Sequence, residues 1–167
     1  MLLLPDFYFA NTTDVNLGFL RKHHIKAVLL DIDNTLTQHN GTEPYSEVRE
    51  WVRALKNAEI KVAIISNTSG GNRVRLFAEK LGIDNYIWKA KKPSKKGFLQ
   101  LIKELEVDRS EAVVIGDQIF TDILGANRVK ALSILVDARD KNEPILVKIK
   151  RVLEVPFRRL IKFEFKK

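Results

Sequence analysis

Residues 27–35 read Ala-Val-Leu-Leu-Asp-Ile-Asp-Asn-Thr. The first four form a short apolar run between polar residues, the pattern of a strand buried on both faces. Strands of that kind belong to parallel sheets covered by helices on either side. Acidic residues begin where the run ends.

The chain beyond repeats this theme. Residues 46–58 predict a helix, with Ser46 at its cap and Val48, Trp51, Val52 and Leu55 at helical spacing. Residues 61–65, Lys-Val-Ala-Ile-Ile, predict a second buried strand. The next helix carries Val74, Phe77, Ala78 and Leu81 on one face, and Gly82 is placed to stop it. Residues 85–88 read as a short third strand, and Ser94 opens a helix with Phe98, Leu99, Ile102 and Leu105. Residues 112–115 give a fourth strand, 119–129 a short helix and 131–136 a fifth strand. Five alternations of strand and helix predict an α/β protein with a Rossmann-like, doubly wound parallel sheet. Trp51, Phe77 and Phe98 fall on apolar helix faces and are expected in its core.

Composition narrows the class. A chain of 167 residues, 45% hydrophobic and 30% charged, is long enough for one domain with a real core. It has no cysteine, which excludes disulfides and thiolate metal sites and fits a reducing compartment. The apolar start, Met1 to Leu4, is interrupted by Pro5 and Asp6, so no secretory signal is expected. No apolar run approaches the ~20 residues that span a bilayer, and a cytoplasmic protein is expected. The net charge of +8 is uneven: residues 141–167 hold nine Lys or Arg and three Glu. The basicity therefore belongs mainly to the tail, a candidate contact for anionic partners.

In a parallel sheet every strand's carboxyl end lies on one edge, and ligands bind outside it. The polar groups after each run are therefore neighbours. They are Asp31, Asp33, Asn34 and Thr35; Ser66, Asn67 and Thr68; Lys91 and Lys92; and Asp117 with Asp122. Asp31, Asp33 and Asp117 would repel one another unless a cation shared them. Oxygen ligands suit Mg2+. Carboxylates around a metal, with a lysine and a hydroxyl, make a setting for phosphoryl transfer. One carboxylate can attack phosphorus, and a second, two residues on, can serve as acid and base.

These residues resemble the four motifs of the haloacid dehalogenase (HAD) superfamily. Asp31-Ile-Asp-Asn-Thr-Leu-Thr matches its DxDxT signature, and Ser66, Lys92 and Gly116-Asp117 with Asp122 follow in order. Gly-Asp-Gln-Ile-Phe-Thr-Asp and Lys92-Pro93 are similar to subfamily IIIA, and more narrowly to YqeG-like phosphatases, relatives of phosphatidylglycerophosphate phosphatases. The resemblance implies Asp31 as nucleophile and Asp33 as general acid and base. It implies Asp31, the Asp33 carbonyl and Asp117 on Mg2+, with Asp122 a metal-water or supporting contact. Ser66, Asn67 and Lys92 would hold phosphate, and Thr35 would brace the loop. Lys91, being adjacent, competes with Lys92 for the lysine's part.

The gaps between motifs hold no separate cap domain, so an open site for a bulky phosphate is expected. The break near 138–144 divides a phosphatase domain, 1–140, from a basic amphipathic tail, 141–167, packed on it or appended to it. In the tail, Ile145, Leu146, Ile149, Val152 and Leu153 share a helix face, and Pro156 is expected to break or kink the helix. Two readings of the tail stand. It lies on an anionic membrane, or it closes the sheet with a solvated basic face.

Duller readings exist for single residues. Lys92 sits in a lysine-rich run, Asp122 can cap a helix, and His23, His24 and His39 read as surface residues. The expected activity is phosphomonoester hydrolysis, on phosphatidylglycerophosphate or another bulky phosphate. The alternatives are a soluble sugar or nucleotide phosphate, or a non-enzymatic nucleic-acid-binding module using the tail. The lysine cluster lacks the aromatic platform that nucleic-acid binding favours.

Overall fold

The apolar runs become neighbouring strands of one sheet. The computed structural model describes residues 2–140 and 143–165. The strands are β1 (Phe7–Phe9), β2 (Ala27–Leu30), β3 (Lys61–Ile65), β4 (Asn85–Ile87), β5 (Ala112–Gly116) and β6 (Leu132–Val136). All pairings are parallel, in the order β1-β6-β5-β2-β3-β4.

The helices are α1 (Leu17–Lys22), α2 (Ser46–Asn57), α3 (Gly71–Leu81), α4 (Lys95–Glu104), α5 (Leu124–Val129) and α6 (Ile145–Phe165). Alternate strand residues face opposite ways. Val28, Leu30, Val62, Ile64, Val113 and Ile115 pack under α1, α2 and α3. Leu29, Ile65 and Val114 pack under α4 and α5. Helices thus cover both faces, as a doubly wound sheet requires. Trp51, Phe77 and Phe98 are all buried.

The sequence reading missed the first edge of the sheet. Phe7–Phe9 add a sixth strand beside β6, and α1 follows. His23, at the end of α1, is half-buried and packs against Phe7 and Phe19. Ser46 is the first residue of α2, and Tyr45 stands at the cap without a side-chain hydrogen bond. Ser94 does cap α4, and Gly82 ends α3 in the left-handed conformation (φ 62°) that glycine adopts without strain. Residues 119–123 form a π-helical turn before α5.

The tail differs most from expectation. It is one helix of 21 residues, and Pro156 lies inside it. Pro156 is on the exposed side, where the carbonyl freed one turn earlier meets water. Of the expected apolar face, Ile145, Ile149, Val152 and Leu153 point to solvent, and the Leu146 side chain lies outside the described residues. The inward face carries Ile161, packed with Ile119, Ile123 and Leu135. It also carries charge. The Glu154 carboxylate accepts the Ile119 N–H at 2.7 Å. Arg151 pairs with Asp117 and with Glu143 at 2.6 Å. Removing one member of a buried charge network strands the others without partners. Arg151→Ala, measured by urea denaturation in EDTA, is therefore expected to lower stability by about 3 kcal/mol.

Candidate active site

Register assembles the site. Leu30 pairs with both Ile64 and Ile115, so β2, β3 and β5 end level. Asp31, Ser66 and Asp117 follow at that edge, as parallel geometry predicts. The Asp31 N–H still donates to the Ile115 carbonyl at 3.1 Å, holding the loop against β5.

Lys92 resolves the choice between the two lysines. Its ammonium, buried, donates to Asp31 Oδ1 at 2.5 Å, Asp122 Oδ1 at 2.7 Å and the Ile65 carbonyl at 2.9 Å. Lys91 is exposed. Three donors meet three acceptors, so the ammonium is satisfied without water. The Asn67 amide fixes the lysine loop, accepting from the Lys92 N–H at 2.7 Å and donating to the Lys92 carbonyl at 3.0 Å. Asn67 was expected on phosphate. It lines the cleft, and its amide oxygen and one N–H hold this loop. Ser66 is buried beside it, its hydroxyl accepting from the Thr68 N–H at 3.2 Å.

Asp31, Asp117 and Asp122 present carboxylate oxygens within 4.8 Å of one another, all three buried. Gly116 permits this closeness, since a Cβ there would stand 2.4 Å from the Asp122 carboxyl. Asp117 Oδ2 takes Arg151, while Asp117 Oδ1 is buried with no hydrogen-bond partner. An orphaned carboxylate oxygen facing two other acids fits a divalent cation with oxygen ligands. Burial pushes the Asp117 carboxyl up to about 7, against the pull of Arg151. Burial also raises Asp31 well above the usual carboxylate range, since Lys92 is shared and two further acids stand close. The same acids hold the Lys92 ammonium protonated despite its burial.

Asp33 lies apart from this trio. Arg73 grips its carboxylate with two hydrogen bonds, 2.7 and 3.2 Å, and the Asn40 N–H adds a third at 2.8 Å. Arg73 was not singled out in the sequence, because nothing local in α3 signals a partner forty residues away. Nor were Glu143, Arg151 and Glu154, and Asn34 was placed at the edge without a partner. Asn34 sits at φ 61°, buried, and its amide donates to Glu143 at 2.5 Å. Thr35 braces the loop by its carbonyl, which accepts from the Thr12 hydroxyl at 2.9 Å.

The cleft over these groups measures about 550 Å3. Asp31, Asp33, Ser66, Asn67 and Lys92 form its floor, with His39, Gln118 and Thr121 beside them. Pro144, Val147 and Lys150 supply one wall from the start of α6. Another concavity, lined by Lys61, Gly82 and Ile83, lies at the opposite edge of the sheet, away from the acids.

A parallel sheet with an Asp31-Ile-Asp33 loop after β2, a serine loop after β3, a buried lysine and an acidic pair after β5 defines a phosphatase of the HAD type. Residues 1–139 match the sequence profile of the family Mitochondrial PGP phosphatase, and the chain belongs to that family. It is 35% identical over 151 residues to the Probable phosphatase YqeG of Bacillus subtilis (strain 168), covering 90% of this chain and 87% of that one. It is 25% identical to Phosphatidylglycerophosphate phosphatase 1, chloroplastic/mitochondrial, of Arabidopsis thaliana. That match covers 92% of this chain and 46% of the plant protein. Among solved structures, the 3-deoxy-D-manno-octulosonate 8-phosphate phosphatase of Moraxella catarrhalis, in complex with magnesium, phosphate and KDO, superposes with a TM-score of 0.50. It is 27% identical, over 62% of this chain and 65% of that one. The protein is thus a phosphoric monoester hydrolase with a phosphorylated substrate, which sets aside the non-enzymatic binding module.

Two outcomes follow from the buried charges. Lys92→Met leaves two buried carboxylates unpaired and is expected to lower phosphatase turnover at least about a hundredfold, while Lys91→Met stays within about twofold. Phosphate release by both variants checks this. The second concerns pH. Asp31 and Asp117 have folded pKa values raised above the unfolded value of about 4, Asp117 to about 7. Their protonated forms therefore favour the fold at low pH, and that stability is lost as pH rises through about 7. In EDTA the melting temperature should fall between pH 5 and pH 8, and a saturating divalent cation should flatten the fall.

Proposed function

We propose that this chain is a magnesium-dependent phosphatase that forms an aspartyl-phosphate on Asp31 and acts on phosphatidylglycerophosphate. The observation that carries the mechanism is the buried Lys92–Asp31 contact at 2.5 Å beside two further acids. The subject of the lipid reading is the family's description, together with the plant relative's name.

Asp31, Asp117 and the Asp33 carbonyl would hold Mg2+, with Asp122 close by. When bound, the ion supplies charge neutralisation to the transferring phosphoryl oxygens. The chain's own residues do the rest. Lys92 donates to the Asp31 carboxylate and aligns it at the cleft floor. Asp31 attacks phosphorus, and the bond from phosphorus to the alcohol oxygen breaks. Asp33 gives that oxygen its proton. Asp33 then takes a proton from water, the water oxygen attacks phosphorus, and phosphate leaves with Asp31 restored. Arg73 and the Asn40 N–H fix the Asp33 carboxylate at the cleft floor. Ser66 donates to a phosphoryl oxygen, and Lys92 does so with the N–H that Asp31 gives up as its carboxylate joins phosphorus.

The open cleft suits a headgroup that remains attached to a membrane. A lipid substrate presents its phosphate at a bilayer surface, so the reading includes peripheral contact through residues 141–167. Among the described residues no helix is long and apolar enough to cross a membrane. A second reading, a soluble sugar phosphate, is favoured by the likeness to the octulosonate phosphatase.

Phosphate release from phosphatidylglycerophosphate in detergent, and from soluble phosphomonoesters, tests both. Wild type should turn over the lipid best with Mg2+ and lose activity in EDTA. Asp31→Asn should lose at least about a thousandfold. Turnover of soluble esters alone would transfer the assignment to the second reading.

A further inference from the structure

A surface helix ordinarily turns its apolar stripe to the core and its charges to water. α6 does the opposite. Ile145, Ile149, Val152, Leu153 and Leu160 are 72, 52, 69, 59 and 44% exposed. At about 100° per residue they share an arc of roughly 100°. The buried side of the same helix carries Glu154 and Ile161, with Arg151 and Arg158 beside them. Those arginines reach Asp117, Glu143 and Glu154. Ion pairs, with Ile161 and Phe157 packed among them, hold the inner face, so the outward stripe is not there to stabilise the fold.

The flanks of the stripe are basic. Lys148, Lys150 and Arg159 are exposed, and no ion pair to them is found among the described residues. Glu164 is the one exposed acid on the helix. A second copy of the chain would bring the same basic flanks against this face and be repelled. An anionic bilayer answers both features at once, since its acyl boundary takes the apolar arc and its headgroups take the cations. Position adds a third reason. Val147 and Lys150 line the cleft, and Arg151 ties the helix to Asp117.

We propose that the outward face of α6 docks flat on an anionic lipid surface. Ile149, Val152 and Leu153 enter the acyl boundary, and Lys148 and Arg159 lie at headgroup level. The docked helix sets the cleft's α6 wall beside the headgroups. This deepens the lipid reading and rests on it for its purpose, but vesicle binding and turnover are separate measurements.

Flotation with phosphatidylcholine vesicles, with and without one quarter phosphatidylglycerol, tests it at low salt. Wild type should float with the anionic vesicles and not with the neutral ones. Val152→Asp with Leu153→Asp should abolish flotation. Lys148→Gln with Arg159→Gln should weaken partitioning about twentyfold, near fivefold per charge. Both variants should keep wild-type circular dichroism and soluble-ester turnover, since neither pair lines the cleft. The chain has no cysteine, so a polarity-sensitive dye on Leu153→Cys should shift to the blue on anionic vesicles. Absence of wild-type flotation, or flotation indifferent to the Val152 and Leu153 changes, overturns the proposal. A wild-type dimer that those changes dissociate would assign the face to a second copy instead. Lipid turnover in detergent without vesicle binding would sink the docking alone. Vesicle binding without lipid turnover would sink the lipid substrate alone.

Discussion

Asp31, Asp117 and Asp122 crowd their buried carboxylates together at the base of the cleft, and two cations keep them there. Lys92 comes from the loop before α4, and Arg151 comes from α6. Charges so placed are tolerated only when paired, because isolated burial of one costs several kcal/mol. Much else serves this arrangement. The Asn67 amide is committed to the backbone of Lys92. Gly116 is bare so that Asp122 can approach. The docking of the last helix runs through one of the three, Asp117.

That dependence explains why the sequence was readable in some places and opaque in others. The central strands announce themselves, because burial on both faces leaves nothing but Ala, Val, Leu and Ile. Parallel geometry then brings Asp31, Ser66, Lys92, Asp117 and Asp122 to one edge without further information. Short edge elements give no such signal. Phe7–Phe9 pair with β6 from 127 positions away, and three residues cannot display a period. The lysine was ambiguous by one position, since only the path of the loop decides which neighbour turns inward.

The helix at the end shows a different limit. Its periodicity was plain, and Ile145, Ile149, Val152 and Leu153 do share a face. Periodicity says that residues lie together. It does not say which way they look. The usual inference that apolar residues look inward assumes that apolar burial is what docks the helix. Here Glu154 on the N–H of Ile119, and Arg151 on Asp117 and Glu143, decide the orientation. Ile119 and Asp117 lie 35 and 34 positions away from their partners in sequence. Arg73 on Asp33 escaped notice for the same reason.

The charge count gives the site its chemical direction. Five carboxylates are buried around it: Asp31, Asp117, Asp122, Glu143 and Glu154. The cations that touch them are Lys92, Arg151 and Arg158. Two negative charges are left over. Protons can remove the excess, and the upward displacement of Asp31 and Asp117 expresses that tendency. One divalent cation removes it as well, and it leaves Asp31 ionised, as the proposed attack on phosphorus requires. Protonation and metal binding are thus alternative solutions to one surplus, and they compete for the same oxygens. An enzyme that needs Asp31 ionised near neutral pH requires the second solution. The unpartnered Asp117 Oδ1 is the atom at which that requirement is visible.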